Sequence, residues 1–183
     1  KIPQFLLRFF FKKKHLKIIN RFKESRANSE LLFFNCSKEI KCKKNSIDHI
    51  LNSHFLEHVY RNELDGILKN YYRILKTNAT IHIIVPNLDY QIAEYQKSKS
   101  INRADTFIKG LLLSEEKTPT FIYRLFILFG YSGIKHCWMY NKESLSLIIE
   151  KIGFKIDNKL KVPSSHVRKN DDDESIHIIA KKI

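Results

Sequence analysis

His54 and His58 stand on either side of Glu57, and with His136 they are the groups in the chain best placed to move a proton. Imidazole titrates near neutral pH, so either ring could take a proton from a hydroxyl placed against it. His136 is a third ring of this kind, with Tyr140 shortly after it. Asn52 and Ser53 precede His54, while Asn87 and Asp89 follow a second apolar run, and each of these four can hydrogen-bond a ligand. A histidine bonded to nearby backbone is the plainer reading of each ring. Glu57, read as lying in a first helical turn, is favoured there by the helix dipole whatever else it does. His58, His54 and His136 are therefore the catalytic candidates.

Such residues need elements to hold them. Residues 48–51, Asp-His-Ile-Leu, have a short buried-strand pattern. From Phe55 onward, Phe55, Val59, Leu64, Ile67, Leu68, Tyr71 and Leu75 recur at the spacing of one helical face. Residues 80–85 are mostly β-branched and end at Pro86, which lacks the N–H a central ladder needs. Strand, helix and strand in this order predict a parallel βαβ unit with a right-handed crossover. In open α/β sheets ligands bind outside the carboxyl ends of the strands, which gathers Asn52, Ser53, His54, Asn87 and Asp89 at one crevice.

The remaining segments fit the same plan. The apolar run 31–34 predicts a buried parallel strand ending at Asn35. Arg73 and Lys76 put cations at the negative pole of the helix, and Asn78 is the residue best able to turn left-handed after it. Residues 91–135 predict a helical insertion, divided near Pro119, that forms a lid or acceptor-binding cap. Asn141 caps a helix over 142–152 that stops at Gly153, and 154–160 and 175–181 predict two further strands.

The 183 residues suffice for one domain with a real core. A net charge of +14 raises nucleic acid, anionic lipid or phosphorylated partners. The lysines are scattered through every segment among abundant Asn and Ile, however, as a compositional bias would leave them. Dense basic runs occur only at Lys12–Lys14 and Lys41–Lys44, without aromatic interleaving, so nucleic acid is not expected as a partner. The three cysteines, Cys36, Cys42 and Cys137, form no CxxC pair and suit a reducing, cytoplasmic setting. Their spacing with histidine matches no metal motif, and no metal is expected. No stretch approaches the roughly 20 apolar residues of a membrane span. Residues 1–22 combine an aromatic run with a basic cluster, leaving two readings open: a helix packed on the sheet, or a peripheral contact with an anionic membrane surface.

Three segments together, NSIDHILNSHFLEHV, YYRILKTNATIHIIVPNLD and HCWMYNKESLSLIIEKIGF, resemble the second half of class I S-adenosylmethionine (SAM) dependent methyltransferases of the methyltransferase 11 kind, including those of polysaccharide and sugar biosynthesis clusters. The resemblance covers about residues 30–181. It implies an α/β, Rossmann-like sheet with a helical cap insertion and a final antiparallel strand inserted between its neighbours. It also implies SAM as cofactor and methyl transfer to oxygen or nitrogen of a small-molecule or glycan acceptor. Asn35 and Cys36 fall where that family meets the adenine, Asn52, Ser53 and His54 follow as further cofactor contacts, and Asn87, Asp89, His136 and Tyr140 line the acceptor side. The family's front half, with its GxGxG turn, has no counterpart among the 5 glycines. The expectation is therefore an N-terminally incomplete domain. The alternative is a non-catalytic methyltransferase-like module that binds a partner or membrane.

Overall fold

Ile81, Ile83, Ile84 and Val85 are fully buried, as befits a β-branched run with hydrogen-bonded neighbours on both sides. They belong to β2 (Leu75–Pro86), which pairs in parallel with β1 (Ile47–Ser53) and antiparallel with β4 (Ser175–Lys182). A short β3 (Phe154–Ile156) joins the far side of β4, so the order is β1-β2-β4-β3. The expected antiparallel last strand thus sits between its neighbours. A computed structural model describes residues 39–113, 135–160 and 174–183, all within the unit Asn35–Ile183. The predicted strand 31–34, the N-terminal segment, Asn35, Cys36 and Pro119 lie outside the described residues.

One face of the sheet carries Ile81, Ile83 and Val85 beside Ala180, Ile178 and Ile176. Against it pack α1 (Leu64–Ile74), through Leu64, Ile67, Leu68 and Tyr71, and α4 (Lys142–Ile152), through Leu145 and Ile149. Each of these aliphatic side chains contributes about 1.5–3 kcal/mol by leaving water. The opposite face presents His82, Ile84, His177 and Ile179. Asn141 caps α4 by accepting from Ser144 N at 3.0 Å, and Gly153 ends it at φ 115°, both as the sequence predicts. A side chain at Gly153 would also press the Tyr72 ring at 3.3 Å.

Four boundaries differ from the sequence reading. β1 runs on through Asn52 and Ser53, whose backbones pair with Ile83 and Ile84. β2 begins at Leu75 and takes up the expected turn as a bulge, in which Asn78 has φ 63° and the pairing to β1 skips. β3 stops at Ile156 because Asp157 turns the chain: its carboxylate accepts from Lys159 N at 3.1 Å and from Lys181 Nζ at 2.8 Å. The fourth concerns the helix predicted from Phe55, which starts only at Leu64. Leu56–His58 is instead a separate 3-10 turn. The Glu57 carbonyl, which an α-helix would offer four residues on, accepts from Cys137 N at 2.6 Å and Trp138 N at 3.1 Å. Tertiary bonds have taken the acceptor that helix propagation needs.

The segment that follows β2 holds two helices among the described residues. Asn87 accepts from Asp89 N at 3.0 Å and opens α2 (Leu88–Lys97), and α3 (Arg103–Leu111) follows. The helices meet through Tyr95 and Phe107, whose ring centres are 5.1 Å apart, with the Arg103 guanidinium 5.1 Å over Tyr95.

Candidate functional site

The carboxyl ends of β1 and β2 are held side by side by the bond from His54 N to Ile84 O, 2.9 Å. His54 itself has φ 49°, a left-handed conformation that turns the chain abruptly off the sheet. Three further connections converge here. Leu88 N donates to Tyr140 O at 3.0 Å, beside a parallel bridge between Asn87 and Tyr140. His136 N donates to Leu112 O at 2.9 Å, just past the end of α3. The loop 135–138 reaches the 3-10 turn through the Glu57 carbonyl. Residues distant in sequence thereby enclose one small polar cluster.

Glu57 is its centre. The residue is 1% exposed, and neither carboxylate oxygen has a hydrogen-bond partner among the described residues. His54 Nδ1 lies 3.4 Å and His58 Nε2 3.9 Å from Glu57 Oε1, both beyond the usual range for a charge-assisted bond of about 2.7–2.9 Å. His58 Nδ1 is 2.8 Å from Lys135 O, and since a carbonyl only accepts, that nitrogen carries the hydrogen. His136 is buried and meets the His58 ring edge-on, centres 5.1 Å apart. Burial pulls the His136 pKa below the ordinary imidazole value; Glu57 opposes this, while His58 and His54 add to it. The ring therefore stays neutral at neutral pH.

Tyr140 is 1% exposed, with its hydroxyl 3.5 Å from Leu56 O. Burial pushes that hydroxyl up to about 12, so it remains a neutral phenol. Asn52 donates from Nδ2 to Tyr71 Oη at 2.9 Å, and its buried Oδ1 has no partner among the described residues. Ser53 and Asp89 are exposed, and the side-chain oxygen of Asn87 is engaged in capping α2.

The structure thus brings His54, His58 and His136 together, with Tyr140 behind them and Asn52, Ser53 and Asn87 on the adjoining strand ends. Sequence reasoning passed over the importance of Glu57, assigning it to a helix dipole. Its position between two histidines was the only local sign; its burial depends on the loop 135–138.

The chain is similar in structure to a SAM dependent methyltransferase from Methanosarcina mazei, at 20% identity and TM-score 0.52, covering 89% of this chain and 76% of that one. One from Archaeoglobus fulgidus matches at 18% and 0.50, covering 89% and 72%. A protein from Pyrococcus horikoshii OT3 matches at 14% and 0.56, covering 94% and 68%. No family model and no curated protein matches the sequence. At these identities the likeness is one of fold: the chain has the Rossmann-like fold of class I SAM-dependent methyltransferases. No helix among the described residues is long and apolar enough to cross a membrane.

Proposed function

We propose that this chain is a SAM-dependent methyltransferase whose acceptor, a small molecule or glycan, is bound over the carboxyl ends of β1 and β2. The observation that carries the reading is the imidazole–carboxylate cluster at that end of a sheet with this fold, where open α/β sheets bind their ligands. At the β1 tip the orphaned Asn52 Oδ1 and the exposed Ser53 suit the polar groups of a nucleoside-bearing methyl donor.

The sulfonium methyl is already electrophilic, so the protein's work is mainly alignment. An acceptor oxygen or nitrogen bonds to the methyl carbon while the carbon–sulfur bond breaks, and its electron pair stays on sulfur as S-adenosylhomocysteine forms. The acceptor's proton must leave. Of the three rings His54 is best placed to take it, because it stands at the β1 tip with 19% of its side chain exposed and Glu57 beside Nδ1. His58 is tied to Lys135 O at one nitrogen and faces Glu57 at the other, while His136 is buried. These two stand beside Glu57 without bonding it, and Tyr140 backs the acceptor side. Helices α2 and α3 would form the cap.

Isothermal titration with S-adenosylhomocysteine, on this chain and on a form extended upstream, tests the proposal. Binding by either form, weakened in Asn52→Ala, is the expected result. Binding by neither would contradict it and favour a methyltransferase-like module without catalysis. For a hydroxyl acceptor, His54→Gln should lower kcat about 10²–10⁴-fold and leave S-adenosylhomocysteine affinity nearly unchanged.

A further inference from the structure

Acceptors are concentrated inside the cluster in a way that proton transfer does not require. One carboxylate oxygen of Glu57, one nitrogen of His58 and one of His136 all lie within 4.8 Å of one another. The Glu57 oxygens and His136 Nδ1 are buried and have no hydrogen-bond partner among the described residues. The His58 ring, moreover, is oriented by a bond at its far nitrogen. His58 Nδ1 donates to Lys135 O at 2.8 Å, and the His136 backbone is fixed by its N–H bond to Leu112 O at 2.9 Å. An imidazole anchored through one N–H to a backbone carbonyl, its other nitrogen turned inward, is the arrangement metal-ligating histidines adopt.

We propose that Glu57, His58 and His136 form a binding site for a divalent transition-metal ion, with His54 orienting the carboxylate from outside. Two imidazoles and one carboxylate suit zinc and its first-row neighbours, and three protein ligands leave a further position open. The size is right. Three atoms no more than 4.8 Å apart share a point within about 2.8 Å of each, so inward shifts of at most about 0.7 Å reach the zinc–ligand distance of about 2.0–2.1 Å. A multivalent cation is a single species that several inward-facing acceptors can share, whereas one proton on Glu57 or His58 satisfies a single contact. Sequence spacing gave no sign of this site, because Glu57 and His58 are adjacent and His136 arrives through a separate loop. The site does not depend on the methyl-transfer reading.

Zinc titration of the chelator-stripped full chain, without methyl donor, tests it. One Zn²⁺ per chain is expected, with affinity falling at least 100-fold in His58→Ala and in His136→Ala, and about 10–100-fold in His54→Ala. His82 and His177 form a second imidazole pair, with Nε2 and Nδ1 3.2 Å apart, so the double variant His82→Gln/His177→Gln should bind zinc as the wild type does. Should the site variants fail to fold, cobalt substitution of the wild type decides. Intense visible d–d bands of a four- or five-coordinate ion, without a thiolate charge-transfer band from Cys137, support the site; a weak octahedral spectrum overturns it. No zinc uptake, or uptake lost only in the His82/His177 double variant, also overturns it.

Discussion

Where β1 and β2 begin, Lys182 Nζ donates to Asn45 Oδ1 at 2.7 Å and to Leu75 O at 2.8 Å, and lies 4.8 Å over the Tyr72 ring. Arg73 likewise reaches Cys42 O at 2.9 Å and Ile40 O at 2.5 Å, tying the incoming chain to the end of α1. Where the same strands end, Glu57 is equally buried and its oxygens lack hydrogen-bond partners among the described residues. A protein selected for stability alone would satisfy both ends. Arg73 Nε is itself without a hydrogen-bond partner among the described residues, yet the balance fits one end closing the fold and the proposed ligand site lying at the other.

The largest effect should come from the core both ends share. Leu68→Ala on α1 removes a fully buried side chain and is expected to cost about 2–5 kcal/mol in urea unfolding. Lys182→Met keeps the apolar stem but strands the Leu75 carbonyl, and should cost about 1–3 kcal/mol with methyl transfer per folded molecule unchanged. Equal loss of activity and stability there would erase the distinction between the ends.

His136 gives a smaller, pH-dependent effect. Its folded pKa is lowered, chiefly by burial, so its contribution is fully present above the unfolded value of about 6.5. It is lost as pH falls from there through the depressed folded value, because the unfolded chain takes up the proton first. Unfolding at stepped pH should show stability declining below about 6.5 with a slope of at most about 1.4 kcal/mol per pH unit from this group. The decline should flatten in His136→Gln, and an unchanged slope would show that other groups carry it. Smallest of all is Glu57→Gln, which supplies an amide donor in place of an unbonded carboxylate oxygen. Its stability should lie within about 0.5 kcal/mol of wild type or above it, while zinc binding falls sharply. A loss of several kcal/mol would mean that Glu57 is a structural ion after all.

Much of the scaffold was legible because it rests on short-range rules. The β-branched run 80–85, the helical spacing from Leu64 to Leu75, the Asn141 cap, Gly153 and left-handed Asn78 all reflect local preference agreeing with the final fold. The candidate cluster was legible in its members, His54, His58, His136 and Tyr140, as residues that the fold brings together, but not in its organisation. The apolar positions Phe55 and Val59 continue the helical period, so nothing local marks the break between the 3-10 turn and α1; it is set by amides of Cys137 and Trp138. Burial of Glu57 follows from the same long-range contacts. β3 ended early for a related reason, since Lys181 on the neighbouring strand holds the turning carboxylate of Asp157.

The central claim is that ligand chemistry belongs to the end where β1 and β2 finish. Amide chemical-shift mapping of the chain, and of the form extended upstream, with S-adenosylhomocysteine tests it most directly. Shifts should concentrate at Asn52, Ser53, His54 and Asn87 and spare Lys44, Asn45 and Lys182. Shifts centred on the latter three, or none in either form, would contradict it.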